Sequence, residues 1–435
     1  MKPQAENVAT SGTPSDSGVP ARNATVVIDQ LVSSASNAML PLAIAATSTI
    51  SSFAVFALAH GAFAVSLGAL RTAYSETILY SFGDEHSTVS VPRNYWLATL
   101  GSALTLVIIV LALRPSGLLS VLILGASIVW VLPQDHLRYR LLQSRPLDAL
   151  RSDAVWLGVA LPGVLVSISD AVFPASLSID LGSFAAPLAV ASWGLGGLVA
   201  FAVAHRACSA KQISDRAELG LRPRRDEHGR SQDRTISASG RRLLLTESLL
   251  ITGGGQLVLY VVGFAAGLDA IALFAAGLLV FQPWASLVYG GRIILLQRLH
   301  GSAPGRTISV GLLFGVVGTA LWGVGSYVAL TVFGADLLLG DSWEVLAGAF
   351  LLVAIYEVLN ISSAILADVL RVKQRFVEMV AARAFAMLLM MAGATIGGLV
   401  DGPNGAAFGR LIGIAATIPV WVLLVRRFKN NGAER

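Results

Sequence analysis

A carboxylate, several guanidiniums and a run of small polar side chains stand inside stretches that are otherwise hydrocarbon. Glu357 falls near the middle of the apolar stretch Val345 to Leu370. A charge at the centre of a membrane helix costs about 2.5 to 3.5 kcal/mol even on the lenient insertion scale, so this carboxyl must be protonated part of the time, paired or wet. Two roles fit it: a group that couples a process to protons, or a protonated acid bonding between helices. Asn360 lies nearly on its face one turn on, and Tyr356 is adjacent. Arg383 lies about two turns into the next apolar stretch, and Arg410 at a similar depth from the opposite end of the last one. A guanidinium stays charged and needs a partner or water. Its planar fork suits a diphosphate, but either arginine could instead snorkel, and Arg383 could pair with Glu357. Arg71 stands near the inner end of the second apolar stretch, where snorkelling is ordinary. His60, about two turns from the outer end of the same stretch, reads as a packed neutral imidazole.

A polar stripe comes earlier in the chain. Within Asp29-Gln30-Leu31-Val32-Ser33-Ser34-Ala35-Ser36-Asn37, a helix puts Gln30, Ser33, Ser34 and Asn37 on one face, with Pro41 a turn further on. With about 1.5 Å of rise per residue, Asn37 lies roughly 15 Å deep, close to the midplane of an apolar slab of about 30 Å. Such a stripe fits close helix packing or a cavity lining. The ionisable residues at similar depths favour the cavity.

These residues need elements that hold them in lipid, and the composition supplies them. Of 435 residues, 55% are hydrophobic and 13% charged, against about 25% charged in soluble domains. The chain is therefore an all-α, polytopic membrane protein. About twelve spans can be read: Val27 to Ile50, Phe53 to Phe82, Tyr95 to Leu113, Leu118 to Leu132, Val155 to Phe173, Phe184 to His205, Leu243 to Phe264, Asp269 to Leu296, Ile308 to Val332, Val345 to Leu370, Phe376 to Val400 and Ala406 to Val425. Pro133 is expected to cut the fourth span short. Even-numbered spans end beside basic residues, at Arg93, at Arg138, Arg140, Arg145 and Arg151, across Arg206 to Arg242, and onward to Arg426, Arg427 and Lys429. The opposite loops hold Asp180, Asp269, Asp336, Asp341, Glu344 and Asp401, with Arg114 as their only basic residue. The positive-inside rule then predicts cytoplasmic N- and C-termini. The basic residues are accounted for by this orientation, which sets nucleic acid aside.

The expected division is a disordered tail over 1–24, an N-lobe of six spans over 25–205, a basic cytoplasmic linker over 206–241, a C-lobe of six spans over 242–428, and a short tail over 429–435. The halves resemble each other weakly and in the same orientation, with the stripe around Asn37 answered by Thr246-Glu247-Ser248 and then Thr252, Gly255 and Gln256. Parallel repeats imply a pseudo-twofold axis along the membrane normal, with a site between the halves. The single cysteine, Cys208, is expected on the cytoplasmic side.

The segment Asp29 to Asn37, followed by Phe53-Ala54-Val55-Phe56-Ala57-Leu58 and by Gly68-Ala69-Leu70-Arg71-Thr72-Ala73-Tyr74-Ser75-Glu76, resembles the polysaccharide-exporter and O-antigen flippase branch of the multidrug/oligosaccharidyl-lipid/polysaccharide flippase superfamily. The close match covers the first two spans. The resemblance implies a MATE-like V shape of two six-helix lobes that opens a central cavity to either side in turn. It implies location in the inner membrane and, as substrate, a polyprenyl-diphosphate-linked oligosaccharide moved from the inner to the outer leaflet for cell-surface polysaccharide biosynthesis. Under that reading Arg71, Arg383 and Arg410 hold the diphosphate, Asn37, Gln256 and Asn360 touch the glycan, and Glu357 couples transport to protons. The partners expected are the lipid-linked glycan, membrane lipids and a loose association with other polysaccharide-assembly proteins.

Three other readings compete, one of them a structural scaffold that has lost transport. A cation-coupled multidrug exporter of the same superfamily should favour an acidic, aromatic cavity over several intramembrane arginines. A membrane glycan polymerase or glycosyltransferase should carry acid or base residues on a sizeable outer loop. No His or Cys pair has metal-ligand spacing and no phosphate-cradling glycine loop occurs, so no metal, no cofactor and no enzymatic role are expected.

Overall fold

The structure is a computed structural model that describes residues 18–75, 91–113, 118–169, 181–218, 238–299, 304–373 and 375–431. Every regular element among them is helical. Helix α1 spans Gly18–Thr47, and α2 spans Ile50–Leu70 and runs on through a π turn at Arg71–Ser75. Next come α3 (Arg93–Leu113), α4 (Leu118–Ser144), α5 (Pro146–Ser167) and α6 (Ala185–Glu218). In the second half, α7 (Ala238–Ser248) passes through a π turn at Leu249–Gly253 into α8 (Gly254–Ala266). There follow α9 (Leu268–Leu299), α10 (Pro304–Phe333), the single turn α11 (Asp336–Leu339), α12 (Ser342–Val372) and the long α13 (Phe376–Asn431).

Ten of these stretches are long and apolar enough to cross a membrane. The last of them breaks at Asp401 and Gly402, where φ/ψ leave the helical region, and so folds back as two arms. Counting both arms and the apolar α3, the architecture is consistent with twelve crossings. The turns follow from their residues. Thr49 caps α2 by accepting the Ser52 N–H at 3.4 Å. Gly267, at φ +83°, stops α8 and lets α9 start at the next residue, a conformation costly for any side chain with a Cβ. Gly402, at φ +55°, does the same between the arms of α13. Those arms touch backbone to backbone, since a Cβ on Gly397 would stand 1.9 Å from the Gly405 carbonyl oxygen and one on Gly409 1.9 Å from that of Gly393.

The helices form two lobes with the same pairing scheme. In the first, α2 packs on α3 and α4, α1 on α5 and α6, and α4 and α5 on α6. In the second, α9 packs on α10 and α12, α8 on α13, and α12 on α13. The lobes meet where α1 and α2 lie against α9, and where α2 lies against α7 and α8. One apolar cluster crosses the seam, joining Leu40, Ile44, Phe53 and Phe56 to Val262, Ile271, Leu273 and Phe281. Gly61 and Gly68 allow α2 to press against Gln256 and Thr252. Alternate helix ends divide the molecule into a basic face, on which α1 begins, and an acidic face, on which α2 begins.

Several expectations need correction. Pro133 does not end the fourth span: α4 runs through it to Ser144. A proline inside a membrane helix is tolerated where neighbouring groups support the disturbed backbone; beside Pro133, Tyr95 Oη donates to the Leu132 carbonyl at 2.7 Å. Arg138 is therefore no loop residue but a buried one. The tail expected over 1–24 is helical from Gly18, and the linker expected over 206–241 is helical to Glu218 and again from Ala238. Residues 219–237, and Glu76 of the motif that carries the resemblance, lie outside the described residues. Cys208 is buried with Leu137, Leu141 and Ala204.

Candidate functional site

Charged side chains gather toward the basic face of each lobe, at the end of its fourth helix. In the first lobe α4 carries Asp135-His136-Leu137-Arg138. Arg138 bonds Asp29 of α1 at 2.5 Å and Asp153 of α5 at 2.6 Å, with Asp135 at 3.8 Å. Its side chain is 1% exposed and those of Asp29 and Asp153 are fully buried. Gln134 donates to Asp153 at 2.9 Å, and Gln30 of the polar stripe accepts from Arg138 at 3.2 Å. Charges this deep persist only when paired and hydrogen-bonded. Arg71, on the π turn closing α2, clamps Asp135 with two parallel bonds of 2.7 and 3.1 Å. The Tyr139 ring lies 5.1 Å from its guanidinium carbon.

The second lobe repeats the plan. Its fourth helix, α12, carries Asp368-Val369-Leu370-Arg371, again with an aspartate one turn before an arginine. Arg371 bonds Asp368 at 2.8 Å and reaches Glu247, which stands near the start of the lobe as Asp29 does in the first. Arg383 lies with its Nε 3.9 Å from Glu247, donates to Ser363 at 3.1 Å and stands over the Trp421 ring. Its carboxylate neighbour is thus Glu247 and not Glu357.

Glu357 occupies a second, deeper cluster. It is buried, accepts from Asn360 at 3.2 Å and lies within Coulombic reach of Arg410. Arg410 donates to Tyr356 Oη at 2.8 Å and is held between the rings of Tyr356 and Phe274, 4.0 and 4.8 Å from their centroids. The adjacency of Glu357, Asn360 and Tyr356 read from their spacing is therefore a contact, joined by an arginine from the last span.

The polar residues of the seam stand apart from these ion pairs. Asn37 turns its amide nitrogen to the Ser33 carbonyl at 2.9 Å, and Ser33 and Ser34 are buried. Gln256 presses its amide against Gly61, next to His60, whose ring packs between Phe56 and Phe63. Among the described residues Asn37 Oδ1, His60 Nε2 and Gln256 Oε1 are buried without a hydrogen-bond partner. Arg71, Arg383 and Arg410 are not brought into one cluster. Arg71 belongs to the first lobe, Arg383 to the basic end of the second, and Arg410 to its middle. An apolar groove of about 800 Å³ between Trp284 and α10 has no charged residue in its lining. Among the described residues no group of His, Cys, Asp and Glu could hold a metal ion.

The partners missed from sequence were Asp135, Arg138, Asp153, Glu247, Asp368 and Arg371. One signal could have found four of them: an aspartate one turn ahead of an arginine occurs at the end of the fourth span of each half, whereas Asp153 and Glu247 carry no such mark.

Two helical lobes with a shared seam and buried charge in each define an all-helical membrane-protein fold. No protein-family model matches the chain, and no curated protein matches it. Solved structures do. An outward-facing multidrug resistance MATE family transporter of the MOP superfamily is similar over 93% of this chain and 95% of its own, with TM-score 0.58 and 12% identity. A MATE in complex with MaD5 is similar over 95% and 97%, with TM-score 0.59 and 13% identity. A MOP superfamily transporter from Pyrococcus furiosus Vc1 (DSM3638), described by a reversed polarity of its binding pocket, is similar over 94% of each chain, with TM-score 0.55 and 12% identity. The chain has the MATE fold.

Proposed function

We propose that this chain is a MATE-fold exporter that moves a polyprenyl-diphosphate-linked oligosaccharide across the inner membrane, from the cytoplasmic to the outer leaflet, with both termini cytoplasmic. The observation that carries the reading is Arg71. It sits on a π turn beside α7 at the basic end of the lobe seam, already in the two-bond geometry that a guanidinium uses for a phosphate, with its side chain 25% exposed. Arg383, 12% exposed at the same end of the other lobe, supplies a second cation. Arg410, deeper in that lobe, would hold the anion after the lobes tip. Asn37, Gln256 and Asn360 offer the amides for looser sugar contacts, and Glu357, coupled to Arg410, is the proton-coupling group.

Drug export has one observation in its favour, the acid and aromatic cluster of Glu357, Tyr356 and Phe274. A strain lacking the protein separates the two. Lipid-linked glycan accumulating on the cytoplasmic leaflet, with drug susceptibility unchanged, supports the flippase. Increased susceptibility to cationic drugs with normal glycan distribution overturns it.

A further inference from the structure

The salt bridge of Arg71 differs from the other buried pairs of its cluster in who can be reached. Arg138, Asp29 and Asp153 are sealed, whereas Arg71 is 25% exposed against 8% for Asp135. The aspartate occupies one bidentate edge of the guanidinium, the side-on edge made by Nε and Nη2, at 3.1 and 2.7 Å. A phosphate bound side-on would need this same edge. Asp135 has a second cation in Arg138 at 3.8 Å, so it keeps a partner if Arg71 turns away. Arg71 in turn keeps the Tyr139 face beneath it, 5.1 Å from the centroid. The cluster holds three carboxylates, Asp29, Asp135 and Asp153, against two guanidiniums, and so carries one surplus negative charge.

We propose that Asp135 is an internal competitor for the substrate's diphosphate. It holds Arg71 in clamp geometry in the empty transporter and yields the arginine when the anion arrives. Asp135 is thus a positioning residue that sets how tightly a phosphate must bind to be accepted, and it spares Arg71 from standing unpaired in hydrocarbon between cycles. A weak anion is excluded because it cannot displace the carboxylate. A diphosphate, with more charge and more acceptor oxygens, can. This inference rests on the diphosphate reading given under Proposed function.

The full-length protein in lipid nanodiscs is titrated with inorganic pyrophosphate and, separately, with farnesyl diphosphate as a prenyl-linked probe. Asp135→Asn leaves two carboxylates against two guanidiniums, so the cluster loses its surplus charge and has no guanidinium in excess. It should tighten binding by roughly tenfold to a hundredfold, the scale of one hydrogen bond to a charged group. Asp153→Asn removes the same charge but leaves the Arg71 clamp, and should give no such gain. Asp135→Asn combined with Arg71→Ala should lose it. Tightening for both probes assigns recognition to the diphosphate alone, and tightening for farnesyl diphosphate alone assigns it to the lipid-linked form. Unchanged or weaker binding in Asp135→Asn of normal melting profile overturns the competition, as does a gain that survives Arg71→Ala. If Asp135→Asn does not fold, Asp135→Glu shifts the carboxylate by one methylene, and an unchanged affinity there is equally fatal. Absence of binding by every form, wild type included, removes the diphosphate reading itself.

Discussion

Arg138 faces three carboxylates from three helices while almost none of its side chain meets solvent. Its removal leaves Asp29 and Asp153 facing each other in a low-dielectric interior, so Arg138→Met should cost about 3 to 5 kcal/mol, the range for breaking a buried pair. A melting curve in detergent measures this, and a midpoint equal to wild type would show that the cluster is not holding the lobe together. Restoring balance by adding Asp29→Asn and Asp153→Asn should recover much of the loss. Glu357→Gln keeps shape and hydrogen bonding but cannot titrate. Transport by this variant should lose its pH dependence, and retention of the wild-type profile at equal protein level ends the coupling role. The stripe from Gln30 to Asn37 and the depth of Glu357 were legible because helical spacing fixes faces. Arg138 was not, because an arginine beyond a proline in an apolar run looks like a loop, and its neutralisation comes from helices distant in sequence.

At the scale of elements, the apolar runs were readable because a membrane helix must satisfy its backbone internally and be about 20 residues long. What they could not reveal was how closely two helices approach. The arms of α13 touch at Gly393, Gly397, Gly405 and Gly409 with no room for a side chain. Gly397→Val should therefore separate the arms and sharply reduce the monodisperse protein recovered by size-exclusion chromatography, whereas Gly101→Val, on open space, should leave it unchanged. Equal recovery of the two would place the arms further apart than described.

For the whole molecule the orientation argument rests on loop charge, and its direct test needs accessible thiols. Cys208 is 4% exposed and unsuited to labelling. Thr49→Cys, on an exposed acidic-face turn, and Arg151→Cys, where the native side chain is 74% exposed on the basic face, are suited. In intact cells an impermeant thiol reagent should label the first and spare the second. The reverse pattern overturns the cytoplasmic termini. The weak parallel repeat was legible at the starts of the two halves, but its clearest expression, two matching charge clusters, emerged only when the fourth helix of each lobe was seen whole.

Those two clusters make the lobes mechanically unequal along their depth. Near the basic face each lobe is riveted by ionic bonds that join its first and fourth helices. Toward the acidic face it is closed by hydrocarbon and glycine contact, and Pro41 and Pro162 fall in that half. The first lobe thus has its ionic bonds at one end and its helix prolines at the other, like a tuning fork gripped by its stem. Lateral pressure from the bilayer, which varies with depth and with lipid shape, will accordingly act on the pliant tines. If the lobes part as the proposed function requires, the lipid composition of the leaflet on the acidic face should affect that motion more than that on the basic face.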